Sequence, residues 1–169
     1  MKLTDLNLSA AIDLLPAVLP SMLEQNPGTI IWATSRAAIR TYPSSSVVRN
    51  RMVTPTNLNL SKAALLRFME ILNVEYNNTD LRFFAINPAS VLTRIGDIFE
   101  VTTKELMEKS PAMKEMLTHS LPLLKDKIEL PVYTTLFLAH PDGQADLLNG
   151  KYIDSNHDHD IVKEKKFYS

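Results

Sequence analysis

The chain contains no cysteine, which excludes disulfides and thiolate metal sites. Glycine is scarce as well, with Gly28, Gly96, Gly143 and Gly150 the whole supply. No two of them can form a G-x-G-x-x-G turn, the device that lets backbone approach a dinucleotide pyrophosphate. Neither sign of charge dominates: 18 Lys and Arg against 19 Asp and Glu leave a formal net charge of -1. A broad electrostatic footprint for nucleic acid or an anionic membrane is therefore missing, and Arg49, Asn50 and Arg51 form the one short basic spot of the first half. The N-terminal segment carries Asp5 and Asp13 among apolar residues and no evident cleavage site, so it reads neither as a signal peptide nor as a membrane span. The expectation is a cytoplasmic protein with no nucleic-acid and no membrane partner.

What is present supports a folded domain. Apolar residues make up 45% of the 169 positions, enough for one real core, expected over residues 1–160, with a polar tail at 161–169 that includes the run KEKK. Leu8, Ile12, Leu15, Leu19 and Leu23 share a helical face and predict a helix over 4–24, kinked by Pro16 and Pro20. TIIWAT at 29–34 predicts a strand buried on both faces. Leu65, Phe68, Met69, Leu72 and Tyr76 place one face of a helix over 57–77 against a core. LRFFAIN at 81–87 predicts a second strand, closed by Pro88. Helices over 103–126 and 131–140 and a last strand, GKYID, at 150–154 complete the pattern. Helix, strand, helix, strand in this order implies parallel strands joined by crossover helices.

The residues that point to chemistry lie beside these elements. Lys62 stands near the N-terminal end of the 57–77 helix, where the helix dipole disfavours a cation, so its position calls for a reason. Taken in order, LNL, TIIWATS, SKAALLRF, LRFFAINPASVLT and LLNGKYID resemble the C-terminal portion of the short-chain dehydrogenase/reductase family, including its fungal members. The resemblance covers most of residues 5–160 and rests on the order of the blocks together.

It implies an α/β, partial Rossmann-like three-layer fold lacking the N-terminal dinucleotide-binding half, and NAD(P)-dependent interconversion of an alcohol and a ketone. By block alignment Asn7, Ser35 and Lys62 match three members of the family's catalytic set. The Ser hydroxyl would polarise a substrate carbonyl, Lys62 would bond the nicotinamide ribose and lower the pKa of a phenol, and Asn7 would order a relay water. Asn87, Pro88, Ala89, Ser90, Val91, Leu92 and Thr93 match the family's N-P-G-x-V-x-T loop. There the Val91 backbone and the Thr93 hydroxyl would hold the nicotinamide carboxamide of NAD or NADP. Ala89 replaces the loop's Gly, which disfavours a positive φ.

The fourth member of the set is a Tyr four residues before the Lys, and Leu58 stands there. The interval is also long: Leu58 lies 23 residues after Ser35, against roughly a dozen in the family. Residues 47–58 therefore read as an inserted or replaced segment, expected to be an exposed loop. Tyr42 is the one tyrosine between Ser35 and Lys62, but it precedes the helix. The expectation is weak or absent turnover by this chain alone. The alternative is a non-catalytic remnant that associates with a partner or a second copy through the 4–24 and 57–77 helices. No metal is expected, and Asn156 to Asp160 read as solvated polar residues.

Overall fold

The computed structural model describes residues 5–39, 56–91, 108 and 125–156. A π-turn, Asp5–Ser9, leads into α1, Ala10–Gln25, which runs through Pro16 and Pro20. Strand β1, Gly28–Ala33, follows, then a single 3-10 turn at Arg36–Ala38. Helix α2, Thr56–Glu75, crosses to strand β2, Leu81–Asn87. Helix α3, Glu129–Ala139, a 3-10 turn at Asp146–Leu148 and strand β3, Tyr152–Asp154, complete the described chain. The predicted 103–126 helix lies outside the described residues except at positions 108, 125 and 126.

The strands are ordered β1-β2-β3 and every pair is parallel. Ala33 is in register with Ile86, and Asn87 with Asp154, so the three strands reach their carboxyl ends along one edge. β2 is the centre of the fold, and its burial explains why LRFFAIN carries no alternation of polarity. Phe83 and Ala85 point to one face, where they pack with Leu19 of α1, Trp32 of β1 and Leu65, Met69 and Leu72 of α2. Phe84 and Ile86 point to the other, against Phe137 and Leu138 of α3, Ala145 and Ile153. The result is three layers: α1 and α2, the sheet, and α3. Trp32 stacks on Phe83 at 6.3 Å and meets Phe68 edge-on at 5.9 Å, each contact adding about 0.5–1.5 kcal/mol beyond burial.

Three expectations need correction. β1 is not buried on both faces: Trp32 is buried, the other positions are half-buried or exposed, and among the described residues no strand pairs with its outer edge. Ile30 and Trp32 reach the core cluster on one face and Ile31 the cluster on the other, but an edge strand with no outer neighbour leaves Ile30 and Ile31 partly open to solvent. The packed stripe of α1 is Leu8, Ala11, Leu15, Leu19 and Met22, while Ile12 and Leu23 are exposed; both sets fit the helical period and share Leu8, Leu15 and Leu19, so spacing alone does not fix which flank of the stripe packs. Residues 56–58, assigned to the inserted segment, belong to α2. The 40–55 stretch, with Tyr42, lies outside the described residues. By length and composition Leu6–Gln25 would suffice to cross a membrane; its Leu8, Ala11, Leu15, Leu19 and Met22 pack on the core cluster.

Candidate functional site

Thr34 ends β1 with both of its donors on one acceptor, its N–H at 2.7 Å and its hydroxyl at 3.0 Å from the Ile86 carbonyl. That double bond to β2 fixes where the next residue begins. Ser35 is extended and caps the short 3-10 turn, its Oγ accepting from the Ala37 N–H at 3.2 Å. Because Oγ is used there as an acceptor, its hydroxyl proton remains available to donate elsewhere.

Lys62 approaches the same place from α2. Its Nζ donates to the Ala33 carbonyl at 2.8 Å, two residues before Ser35. Burial lowers its pKa, since an ammonium loses hydration there, and no carboxylate pairs with it among the described residues. A cation held against a backbone carbonyl at the end of a strand is poorly explained by helix stability alone. Leu58 sits one turn earlier on α2 and is half-buried, its carbonyl accepting from the Ser61 hydroxyl at 2.9 Å. Next to it, Asn59 Oδ1 is buried with no hydrogen-bond partner. Asn7 is half-buried in the π-turn, which packs on α2, though no hydrogen bond joins Asn7 to Ser35 or Lys62 among the described residues.

After β2 the chain turns through Pro88 and Ala89, and Ala89 has φ 65°. The alanine adopts the left-handed conformation expected of glycine, against its steric preference. Val91 forms a parallel bridge with Asp126. Thr93 lies outside the described residues.

A set of polar residues that sequence reasoning missed ties these segments together. Asp154, at the end of β3, receives Arg36 Nε on Oδ2 at 2.6 Å and Arg36 Nη2 on Oδ1 at 3.1 Å. The same Oδ1 accepts from Asn87 Nδ2 at 2.9 Å and from the Asn156 N–H at 3.1 Å. Burial alone would push the Asp154 carboxyl up. The hydrogen bonds from Arg36, Asn87 and Asn156, with the Arg36 charge, outweigh it and hold the pKa at about 2. The available signal was a polar residue closing each strand's apolar run: Asn87 after FFAI and Asp154 after YI.

Ser35, the Lys62 ammonium, Asn87 and Asp154 lie at the carboxyl ends of parallel strands, the place where open α/β sheets bind ligands. Comparison with known proteins identifies the family and the fold. The family model described as short chain dehydrogenase matches residues 1–100. A short chain dehydrogenase of Pseudocercospora fijiensis is 31% identical over 168 residues, covering 97% of this chain and 49% of its own. An uncharacterized oxidoreductase of Listeria monocytogenes is 29% identical over 106 residues, 62% of this chain and 38% of its own. The chain thus spans about half the length, or less, of the curated relatives it matches. Among solved structures, L-sorbose reductase from Gluconobacter frateurii complexed with NADPH and L-sorbose superposes with a TM-score of 0.63 at 25% identity, over 89% of this chain and 54% of that one. An actinorhodin polyketide ketoreductase variant with NADPH gives 0.66 at 19% identity, over 88% and 54%, a likeness of fold.

Proposed function

Given that this chain belongs to the short-chain dehydrogenase family, we propose that its carboxyl edge is the nicotinamide and substrate side of an NAD(P)-dependent alcohol/ketone oxidoreductase, with weak turnover by this chain alone. The observation that carries the reading is the meeting of Lys62 with the β1 terminus. One hydrogen bond brings an ammonium with no carboxylate partner among the described residues to within two residues of Ser35, which keeps a hydroxyl proton to donate.

Ser35 would donate to the substrate oxygen, and Lys62 would bond the ribose of the nicotinamide nucleotide. Asn7 would order a water toward Lys62, for which the neighbouring orphan acceptor Asn59 Oδ1 offers a further anchor. Val91 and Thr93 would hold the carboxamide. When bound, the nicotinamide supplies or accepts the hydride. The fit is limited to this end of the cofactor, since none of the four glycines forms a pyrophosphate-binding turn. A protein 25% identical to this chain is solved with NADPH and a ketose, which supports a small carbonyl compound or alcohol as substrate.

Leu58 has no proton to give, and loss of a positioned donor costs roughly 10²- to 10⁴-fold in rate. The test is NADPH-dependent reduction of small ketones by the chain and by Leu58→Tyr. The substitution should raise a near-background rate at least about tenfold, and Ser35→Ala should remove the gain. Robust turnover by the unmodified chain that vanishes in Ser35→Ala overturns the inactivity; equal background in every variant overturns the site.

A second reading is favoured by the outer helices. Leu14 of α1 is 64% exposed, and Leu60 and Val74 of α2 are 62% and 67% exposed, so both helices turn large apolar side chains outward. A role through subunit association, without catalysis, predicts a concentration-dependent oligomer in sedimentation that Leu14→Glu dissociates. A monomer throughout rejects it.

A further inference from the structure

Asp126 lies beyond the residues matched by the family model, yet it is fastened to the loop after β2 by both backbone and side chain. Its N–H donates to the Ser90 carbonyl at 3.1 Å, while its Oδ2 accepts from the Ser90 N–H at 2.7 Å, 36 positions away along the chain. The same oxygen accepts from Asn156 Nδ2 at 2.6 Å. Asn156 in turn donates its N–H to Asp154, which grips Arg36 beside Ser35. A continuous polar chain therefore runs from the Ser35 segment to the Ser90 segment through two carboxylates. Both contacts to Asp126 Oδ2 are short.

The bridge has a directional consequence. In a parallel ladder the hydrogen bonds run through the neighbours of the bridged residue, so the pairing of Val91 with Asp126 leaves Val91's own N–H and C=O pointing the other way. The tether also opposes strain. Ala89 at φ 65° would relax out of the left-handed region if nothing restrained it, and that relaxation would rotate the peptides of Ser90 and Val91. We propose that Asp126 is a positioning residue for nicotinamide, holding the Ser90–Val91 backbone so that Val91's N–H and C=O face the bound carboxamide. This rests on the reading of the edge as a nicotinamide site.

The test is the affinity of the full chain for reduced nicotinamide mononucleotide, measured by ligand-observed NMR. Asp126→Ala should weaken binding about fivefold, whereas Asp126→Asn, which keeps one oxygen for both donors, should stay within about twofold. Adding Ala89→Gly to Asp126→Ala should restore much of the loss, because glycine holds a positive φ without the tether. Unchanged binding by Asp126→Ala overturns the inference and leaves the site reading intact. An equal loss in Asp126→Asn also overturns it, assigning the effect to charge. No binding by the unmodified chain overturns the site reading and the inference together. Should Asp126→Ala fail to fold, Asn156→Ala removes one tether and is expected to cost about threefold; unchanged affinity there overturns the inference.

Discussion

Arg36 and Asp154, 118 positions apart in sequence, are joined by two hydrogen bonds of 2.6 and 3.1 Å, and this fork fastens the residue after Ser35 to the end of β3. Paired N–H donors on one carboxylate give direction as well as energy. The Arg36 side chain is 29% exposed and that of Asp154 is 9% exposed. Asp154→Ala should therefore destabilise the fold by ~2 kcal/mol, below the range for a fully buried pair, as read from urea unfolding.

The same pair sets a pH response. Asp154 titrates at about 2 in the folded protein and near 3.9 when unfolded, so the unfolded chain binds more protons between those values. Its contribution is complete above roughly pH 4 and is lost as the pH falls toward 2. Unfolding free energies of the wild type should drop more steeply across that window than those of Asp154→Asn. Parallel slopes would contradict the assignment.

Ala89 offers a separate check. Its φ of 65° is costly for any residue with a Cβ, so Ala89→Gly should stabilise the chain by about 0.5–1 kcal/mol despite glycine's greater unfolded-state freedom. A lower thermal midpoint would indicate that the alanine side chain makes contacts that outweigh the strain.

The layers of the fold were legible in the sequence because burial imposes a period. LRFFAIN, interrupted before its last residue by Arg82 alone, is the central strand, and Leu65, Phe68, Met69, Leu72 and Tyr76 all reach the core cluster. Periodicity names a face; it does not say which loops converge at an edge. Arg36, Asp126, Asp154 and Asn156 come together only through strand order and register, and so no spacing along the chain announced them. The outer exposure of β1 was hidden for a related reason: TIIWAT is apolar whether or not a neighbouring strand covers it. Ala89 shows the limit of residue preference, since the tether at Ser90 and the fixed φ of Pro88 impose a conformation that alanine alone would avoid.

Lys62 separates function from stability. Burial penalises its charge, and among the described residues its hydrogen bond is to a carbonyl at the exposed residue Ala33. Lys62→Met should leave stability unchanged or raise it by up to about 1 kcal/mol while removing nicotinamide nucleotide binding. Loss of both together would mark Lys62 as a structural residue.

The central claim is that this edge holds the nicotinamide end of the cofactor without a pyrophosphate-binding turn, and the most direct measurement compares the affinities of NADPH and reduced nicotinamide mononucleotide for the chain. Without a Gly-rich turn in the sequence for the second phosphate, the two should bind in the millimolar range within about threefold of each other, and both should be lost in Lys62→Met. Micromolar NADPH binding with the mononucleotide about 100-fold weaker, or no detectable binding of either, would contradict the account.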